Sequence, residues 1–360
     1  MIKIAIVGIG NCASSLIQGI SYCKSIGEKN VPGLLNDIIG GYKPSDIKVV
    51  AAFDIDKRKV GMELSKAIFQ KPNNTKIFNK SVENTKVIVQ MAPTLDGFPK
   101  HMLEYEEDLR YVESEKKPVD IAKVLKETKP DMLINYLPVG SQMATENVVN
   151  ACLEANGNFI NAIPVFIASD PKYIKKFEER GLICIGDDVK SQVGATITHR
   201  ALANMFTKRG VELKSTYQLN TGGNTDFMNL SDKTRLKQKN ISKTEAVQSQ
   251  LVKPLDKNNI HISPSAFIPW LKDNKVSFMR LEGENFGGIP MNIEVRLSVE
   301  DSPNSAGIMV DMIRCVKLAM DRGIKGNLEM VSAFGFKRPL KQYTDDEAYV
   351  GLMKFISEKK

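Results

Sequence analysis

The sequence predicts an α/β protein: a doubly wound parallel sheet into which an α+β domain is inserted. Three observations carry that reading. Apolar runs of strand length alternate with helical patterns through the first half of the chain, the strands lengthen after about residue 211, and a long helical pattern at 304–322 follows them. Repeated strand–helix–strand units call for a parallel sheet covered on both faces, whereas longer strands without crossover helices suit antiparallel pairing. The expected division places 1–199 and 303–360 in the first domain and 200–302 in an insert serving catalysis and oligomerisation.

The elements follow in order. Residues 2–7 form a continuous apolar run, read as a buried strand, and helical spacing resumes over 13–25. Further strands are expected at 48–53, 86–91, 131–137, 158–161 and 182–185, with helices at 56–69, 119–127, 145–155, 170–180 and 194–208 between and after them. In the insert, strands are expected at 212–220, 276–281 and 291–299. Ser242 and Glu245 have capping-box spacing, which puts a helix start at 242 and Lys243 in its first turn, where the helix dipole disfavours a cation.

The turn after the first strand reads Gly8-Ile9-Gly10-Asn11-Cys12-Ala13. Gly8 permits a tight turn, Gly10 lets backbone approach a pyrophosphate, and the small Ala13 allows close helix–strand packing. This is the loop of a Rossmann dinucleotide site, with helix N-terminal amides facing the phosphates. Asp54 closes the next strand, with Asp56 beside it, and supplies the acid that a ribose needs. The interval is longer than the usual ~20 residues, and an insertion containing Pro32-Gly33 and Gly40-Gly41 accounts for it. With no arginine immediately after the acid, NAD is favoured over NADP.

Composition narrows the function classes. The net charge of +8, from 50 Lys and Arg against 42 Asp and Glu, comes without basic–aromatic runs, zinc-ligand spacing or a helix-turn-helix pattern, so nucleic acid is not an expected partner. A pocket for a phosphorylated metabolite stays open. No apolar stretch is long enough to span a bilayer, and five cysteines, odd in number and without paired metal-ligand spacing, suit the cytoplasm. His101, His199 and His261 share no ligand spacing and no Gly-x-Ser-x-Gly elbow occurs, which argues against a histidine-centred hydrolase.

Chemistry is instead carried by lysines and acids. Asp188 and Ser191 lie in a loop beyond a strand end, where open α/β sheets bind ligands, although a helix cap explains the same residues. Asn224 and Asp226 follow another strand in a glycine-rich turn. Lys275 and Lys337 stand beside apolar or aromatic neighbours, where burial would make them acid–base groups and solvated strand ends are the ordinary alternative, while Lys239 and Lys243 fall in the segment that opens a helical run, where a surface lysine is the ordinary reading. Asp301 opens a helical run that it could also cap.

Together, residues 7–16, 51–56, 93–97, 136–141, 164–170, 186–199, 222–226, 239–243 and 301–307 resemble the inositol-3-phosphate synthases in their shorter bacterial and archaeal form. The resemblance runs over nearly the whole chain. It implies an isomerase that converts D-glucose 6-phosphate to 1D-myo-inositol 3-phosphate with recycled NAD, by oxidation at C5, enolisation at C6, aldol closure on C1 and re-reduction. It also implies catalytic roles for Lys239, Lys243, Lys275, Lys337, Asp188, Asp226 and Asp301, substrate contacts from Ser191 and Asn224, and a cofactor site of Gly8, Gly10, Asn11, Cys12, Ala13, Asp54 and Asp56. A divalent or monovalent cation near Asp301 and a homotetramer are further implications. Asn224-Thr225-Asp226-Phe227 departs from the Asn-Asn-Asp-Gly of eukaryotic members, which puts contacts from the second Asn in doubt. Rival readings are a dehydrogenase that releases NADH and a non-catalytic NAD-binding regulator.

Overall fold

The computed structural model describes residues 1–358. Its first sheet contains β1 (Ile2–Val7), β2 (Ile47–Asp54), β3 (Val89–Met91), β4 (Met132–Asn135), β5 (Asn158–Asn161) and β6 (Cys184–Gly186) in the order β3-β2-β1-β4-β5-β6, every pairing parallel. The order reverses direction between β1 and β4, and ligands collect outside the strand C-termini at such a switch point.

One face of this sheet is covered by α1 (Asn11–Ser25) and α9 (Asp301–Asp321), the other by α3 (Ile121–Thr128), α4 (Gln142–Glu154) and α5 (Pro171–Glu179). Alternate residues of one strand supply both layers: Ile4 and Ile6 join the first, Ala5 and Val7 the second. The long α9 returns the chain to the first sheet because Met309, Met312, Ile313 and Val316 complete the apolar layer beside Leu16 and Ile17.

The second sheet has the order β10-β9-β7-β8, from β7 (Glu212–Gly222), β8 (Ile260–Phe267), β9 (Asn274–Glu284) and β10 (Pro290–Glu300). Its buried face packs Leu213, Met279 and Leu281 against Ala203 and Phe206 of α6 (Ala195–Lys208), with Val247 of α8 (Lys237–Gln248) alongside. The expected boundary at 199/200 falls inside α6, which runs unbroken. The remaining helices are α2 (Leu64–Ala67), α7 (Thr225–Asn229), α10 (Glu329–Gly335) and α11 (Asp345–Ser357).

Three sequence expectations are corrected. The three expected strands of the insert pair antiparallel, β7 with β9 and β9 with β10, but the sheet also contains the unexpected, Pro-containing β8, which pairs parallel with β7 because α8 forms the crossover between them. The expected helix at 56–69 shrinks to α2, because after a turn at 56–60 the amides of Gly61 and Leu64 donate to the carbonyls of Val89 and Val87 instead of to helical partners. Ser242 lies in the middle of α8 rather than at its start, so the capping box does not form and Lys243 is not in a first turn.

Candidate active site

The turn after β1 has the geometry its glycines predict. Gly8 sits at φ +88°, and a Cβ there would lie 2.5 Å from the Tyr136 carbonyl oxygen. Gly10 faces open space and precedes α1, whose N-terminus has no side-chain cap, so its first amides are available to an anion. Ala13 is buried under the sheet. Gly10, Asn11 and Cys12 line one wall of a cleft. Burial, together with Asp273 and Asp301, pushes the Cys12 thiol up to about 12, so it stays protonated and is no nucleophile.

Asp54 does close β2, and its carboxylate braces the turn: Oδ2 accepts from the Ile9 amide at 2.6 Å, and Oδ1 from the amides of Ile55 and Asp56. Asp56, expected beside the ribose, is instead fully buried, held by the Arg58 guanidinium and the Val112 amide. The geometry gives it a role in fixing the segment around Val112. Sequence reasoning missed Lys59, which lies under the loop and donates to the Ile9 carbonyl and to Asn73 Oδ1, both at 2.8 Å. Burial holds its proton affinity down, with Asp54 and Asp56 opposing. A pyrophosphate fits this turn, which offers an open glycine, a free helix N-terminus and a braced backbone.

The opposite wall gathers all four lysines with Asp188, Ser191, Asn224, Asp226 and Asp301. Lys239 and Lys243 are one helical turn apart on α8 and share a face. Lys275 begins β9. Lys337 arrives through a short antiparallel ladder: its amide donates to the Asp188 carbonyl, the Lys190 amide donates to Gly335, and Asp187 and Arg338 exchange two bonds. The loop 186–190 and the C-terminal segment therefore enter the cleft as one unit.

Three of the ammonium groups are paired: Lys239 with Asp226 at 2.7 Å, Lys337 with Asp188 at 2.8 Å and Lys275 with Asp301 at 3.1 Å. Asp188 also accepts from Ser242 Oγ at 2.7 Å, so Asp188 is a charge partner and not a helix cap. Burial opposes charge on Lys239, but Asp226, Asp188 and Asp301 outweigh it and raise its proton affinity. Burial lowers that of Lys337, with Asp188 opposing and Lys239 and Lys275 adding to the fall. Lys243 differs from all three. Among the described residues it has no ion-pair partner, and burial followed by the charges of Lys275, Lys239 and Lys337 drives its proton affinity well below that of an ordinary lysine.

Asn224 caps α7 through Oδ1 and donates from Nδ2 to Asp273, so both ends of its amide are engaged. Asp301 opens α9 but leaves the capping to Asp273, whose Oδ2 accepts from the Ser302 amide at 3.2 Å. For a cation at Asp301 the donor set is poor: Lys275 holds the carboxylate, and among the described residues no three His, Cys, Asp or Glu groups cluster as metal ligands. Among the described residues no histidine lines the cleft. Asp273 and the segment 73–75 were not singled out from sequence, since a strand-end acid and an Asn-Asn-Thr turn carry no periodic or motif signal.

Fold and cleft define a class: a doubly wound dinucleotide-type α/β protein whose second sheet closes a lysine-lined site over the glycine turn. The sequence model of the family described as Myo-inositol-1-phosphate synthase matches residues 194–302. An inositol-3-phosphate synthase of Mycolicibacterium smegmatis is 50% identical over 360 residues, covering 99% of this chain and 98% of that protein. One from Corynebacterium glutamicum is 46% identical, covering 99% and 98%. The crystal structure of inositol-3-phosphate synthase from Caenorhabditis elegans has a TM-score of 0.78 at 16% identity, covering 99% of this chain and 85% of that one, and shows the shared fold. The chain belongs to the myo-inositol-1-phosphate synthase family.

Proposed function

We propose that the protein is an inositol-3-phosphate synthase, an isomerase that converts D-glucose 6-phosphate to 1D-myo-inositol 3-phosphate and regenerates its NAD in each turnover. The observation that supports this best is the convergence of Lys239, Lys243, Lys275 and Lys337 in one cleft beside the glycine turn, where a non-catalytic regulator would leave them scattered. Bound NAD supplies the removal and the return of a hydride at one substrate carbon. The rest falls to the chain. Gly8, Gly10, Asn11, Cys12 and Ala13 form the turn that takes the pyrophosphate, and Asp54 holds that turn in shape.

The substrate passes through a C5 carbonyl, a C6 enolate and a C1 alkoxide, and fixed cations aimed at those oxygens lower each barrier. Lys239 and Lys275, each locked by a carboxylate, suit that part, with Asp226 and Asp301 as their anchors. Lys337 and Asp188 form a third pair beside them, and Ser191 lies at the rim for a hydroxyl or phosphate contact. Lys243, unpaired and inclined to lose its proton, is the group for proton transfer, or for charge uptake when the substrate phosphate enters.

We also propose that the β7–β10 half serves catalysis and assembly while 1–199 and 303–360 hold the nucleotide. The half-exposed apolar row Met291, Ile293, Val295 and Leu297 on edge strand β10 supports a homotetramer. Five free cysteines support a cytoplasmic setting, and among the described residues no helix is long and apolar enough to cross a membrane.

Glucose 6-phosphate incubated with the protein and catalytic NAD is expected to yield inositol phosphate with no net change in NADH absorbance. Stoichiometric NADH without inositol phosphate would replace this reading with that of a sugar-phosphate dehydrogenase.

A further inference from the structure

Asp273 stands outside the chemistry described above, yet it is buried to 1% exposure at the joint between the two halves of the cleft. Its Oδ1 accepts three hydrogen bonds from three elements: Asn224 Nδ2 at 2.9 Å from the substrate-side loop, Ser302 Oγ at 3.0 Å from α9, and Asn11 Nδ2 at 3.2 Å from the glycine turn. Its Oδ2 accepts from the Ser302 amide, and its own carbonyl accepts from the amide of Asp301. Two residues further on, Lys275 pairs with Asp301. The same joint is bridged a second time, since Asn11 bonds to Asn74, and Asn74 Nδ2 donates to the Gly223 carbonyl at 3.0 Å.

A buried carboxylate sharing one oxygen among three donors has a geometry in which moving any donor disturbs the others. Asn11 belongs to the wall that meets a nucleotide, Asn224 to the wall that meets a sugar phosphate, and Ser302 to the helix start that carries Asp301. We propose that Asp273 is a positioning residue that couples occupancy of the dinucleotide turn to assembly of the sugar-phosphate wall, so that each ligand tightens the binding of the other. This rests on the NAD and glucose 6-phosphate reading above. Two ligands on opposite walls then show a mutual coupling of roughly 5- to 150-fold. Reciprocity requires the same factor whichever ligand binds first.

Calorimetric titration of the full-length protein tests this. NAD is titrated with and without saturating 5-deoxyglucose 6-phosphate, an analogue that lacks the hydroxyl to be oxidised and so binds without reacting, alongside glucose 6-phosphate turnover. The wild type is expected to bind NAD at least about fivefold more tightly with the sugar phosphate present. Asp273→Asn must turn an N–H toward either the three donors or the Ser302 amide, and should bring that ratio close to one. Its kcat should fall more than its KM for NAD rises. An unchanged ratio in Asp273→Asn overturns the inference while leaving the enzyme reading intact, whereas failure of the wild type to bind NAD or form inositol phosphate sinks the enzyme reading first. Should Asp273→Asn not fold, the single variants Asn11→Ala and Asn224→Ala and their double decide. Their side chains meet at Asp273 Oδ1, so their effects on NAD binding should be non-additive, and strict additivity overturns the proposal.

Discussion

At the scale of single residues, the cleft separates three lysines paired with carboxylates from Lys243, which among the described residues has no ion-pair partner. Lys243→Ala is expected to reduce turnover by about 10²- to 10⁴-fold while NAD still binds, a split that titration against single-turnover rates would resolve. The pH profile should carry the same mark. A base whose proton affinity lies well below the ordinary lysine value is neutral, and active, from a correspondingly lower pH. The acid limb of kcat/KM should therefore lie far below 10.5 and disappear in Lys243→Ala; an unchanged limb assigns it to another group. Lys275 and Lys337 were legible only as isolated cations near apolar neighbours and Lys243 only as a cation at an expected helix start, and the family resemblance singled out all four. The cause of the Lys243 shift was misread, as burial among three cations and not a helix dipole. Asp273 and Lys59 could not be found, because nothing local to an acid or a lysine tells whether long-range folding will bury it.

At the scale of elements, strand β1, its glycine turn and α1 were legible because a short buried strand, φ-positive glycine and helical spacing are all local signals. Gly8→Ala puts a methyl group against the Tyr136 carbonyl, and dinucleotide affinity should fall at least about tenfold, a cost of roughly 1.4 kcal/mol, as read by calorimetry. The β7–β8 pairing was not legible, since parallel partners are chosen by a distant crossover. Helix α6 is joined to β7 through His199, whose ring bonds Thr216 Oγ1 at 2.8 Å and Gln218 Oε1 at 3.2 Å. Burial lowers the His199 pKa from 6.5 to about 4, with Gln218 opposing. Its neutral form contributes stability above pH 6.5, and this is lost as pH falls through about 4, because the unfolded chain takes up the proton first. The full effect is roughly 3 kcal/mol. Denaturation of wild type and His199→Asn at pH 8 and pH 4.5 should show a gap between them that narrows at the lower pH. A constant gap would remove the proposed linkage.

At the scale of the whole molecule, the C-terminal segment is clamped to the insert by Asp345, which takes the fully buried Arg200 guanidinium at 2.9 Å and the Lys190 ammonium at 3.4 Å. Arg200 also donates to the carbonyl of Tyr343 at 2.8 Å. Asp345→Ala strands two buried cations and should cost on the order of 3 kcal/mol, measured by urea unfolding. Turnover should fall further than stability explains, because Lys337 lies on the tethered segment. The doubly wound class and the return of α9 were legible from alternating apolar runs, but the convergence of Lys243 with Lys337 was not, being a product of closure over nearly a hundred residues.

The ladder between 186–190 and 335–338 has one more consequence, for synthesis of the chain. Its second strand is made long after its first, so the nucleotide turn at residue 8 must wait for residue 337 before the cleft has both walls. Pairings so distant in sequence form late and slowly. A nascent chain shorter than this is therefore catalytically silent, and two separately expressed fragments, divided in an exposed loop, would recover activity only when mixed.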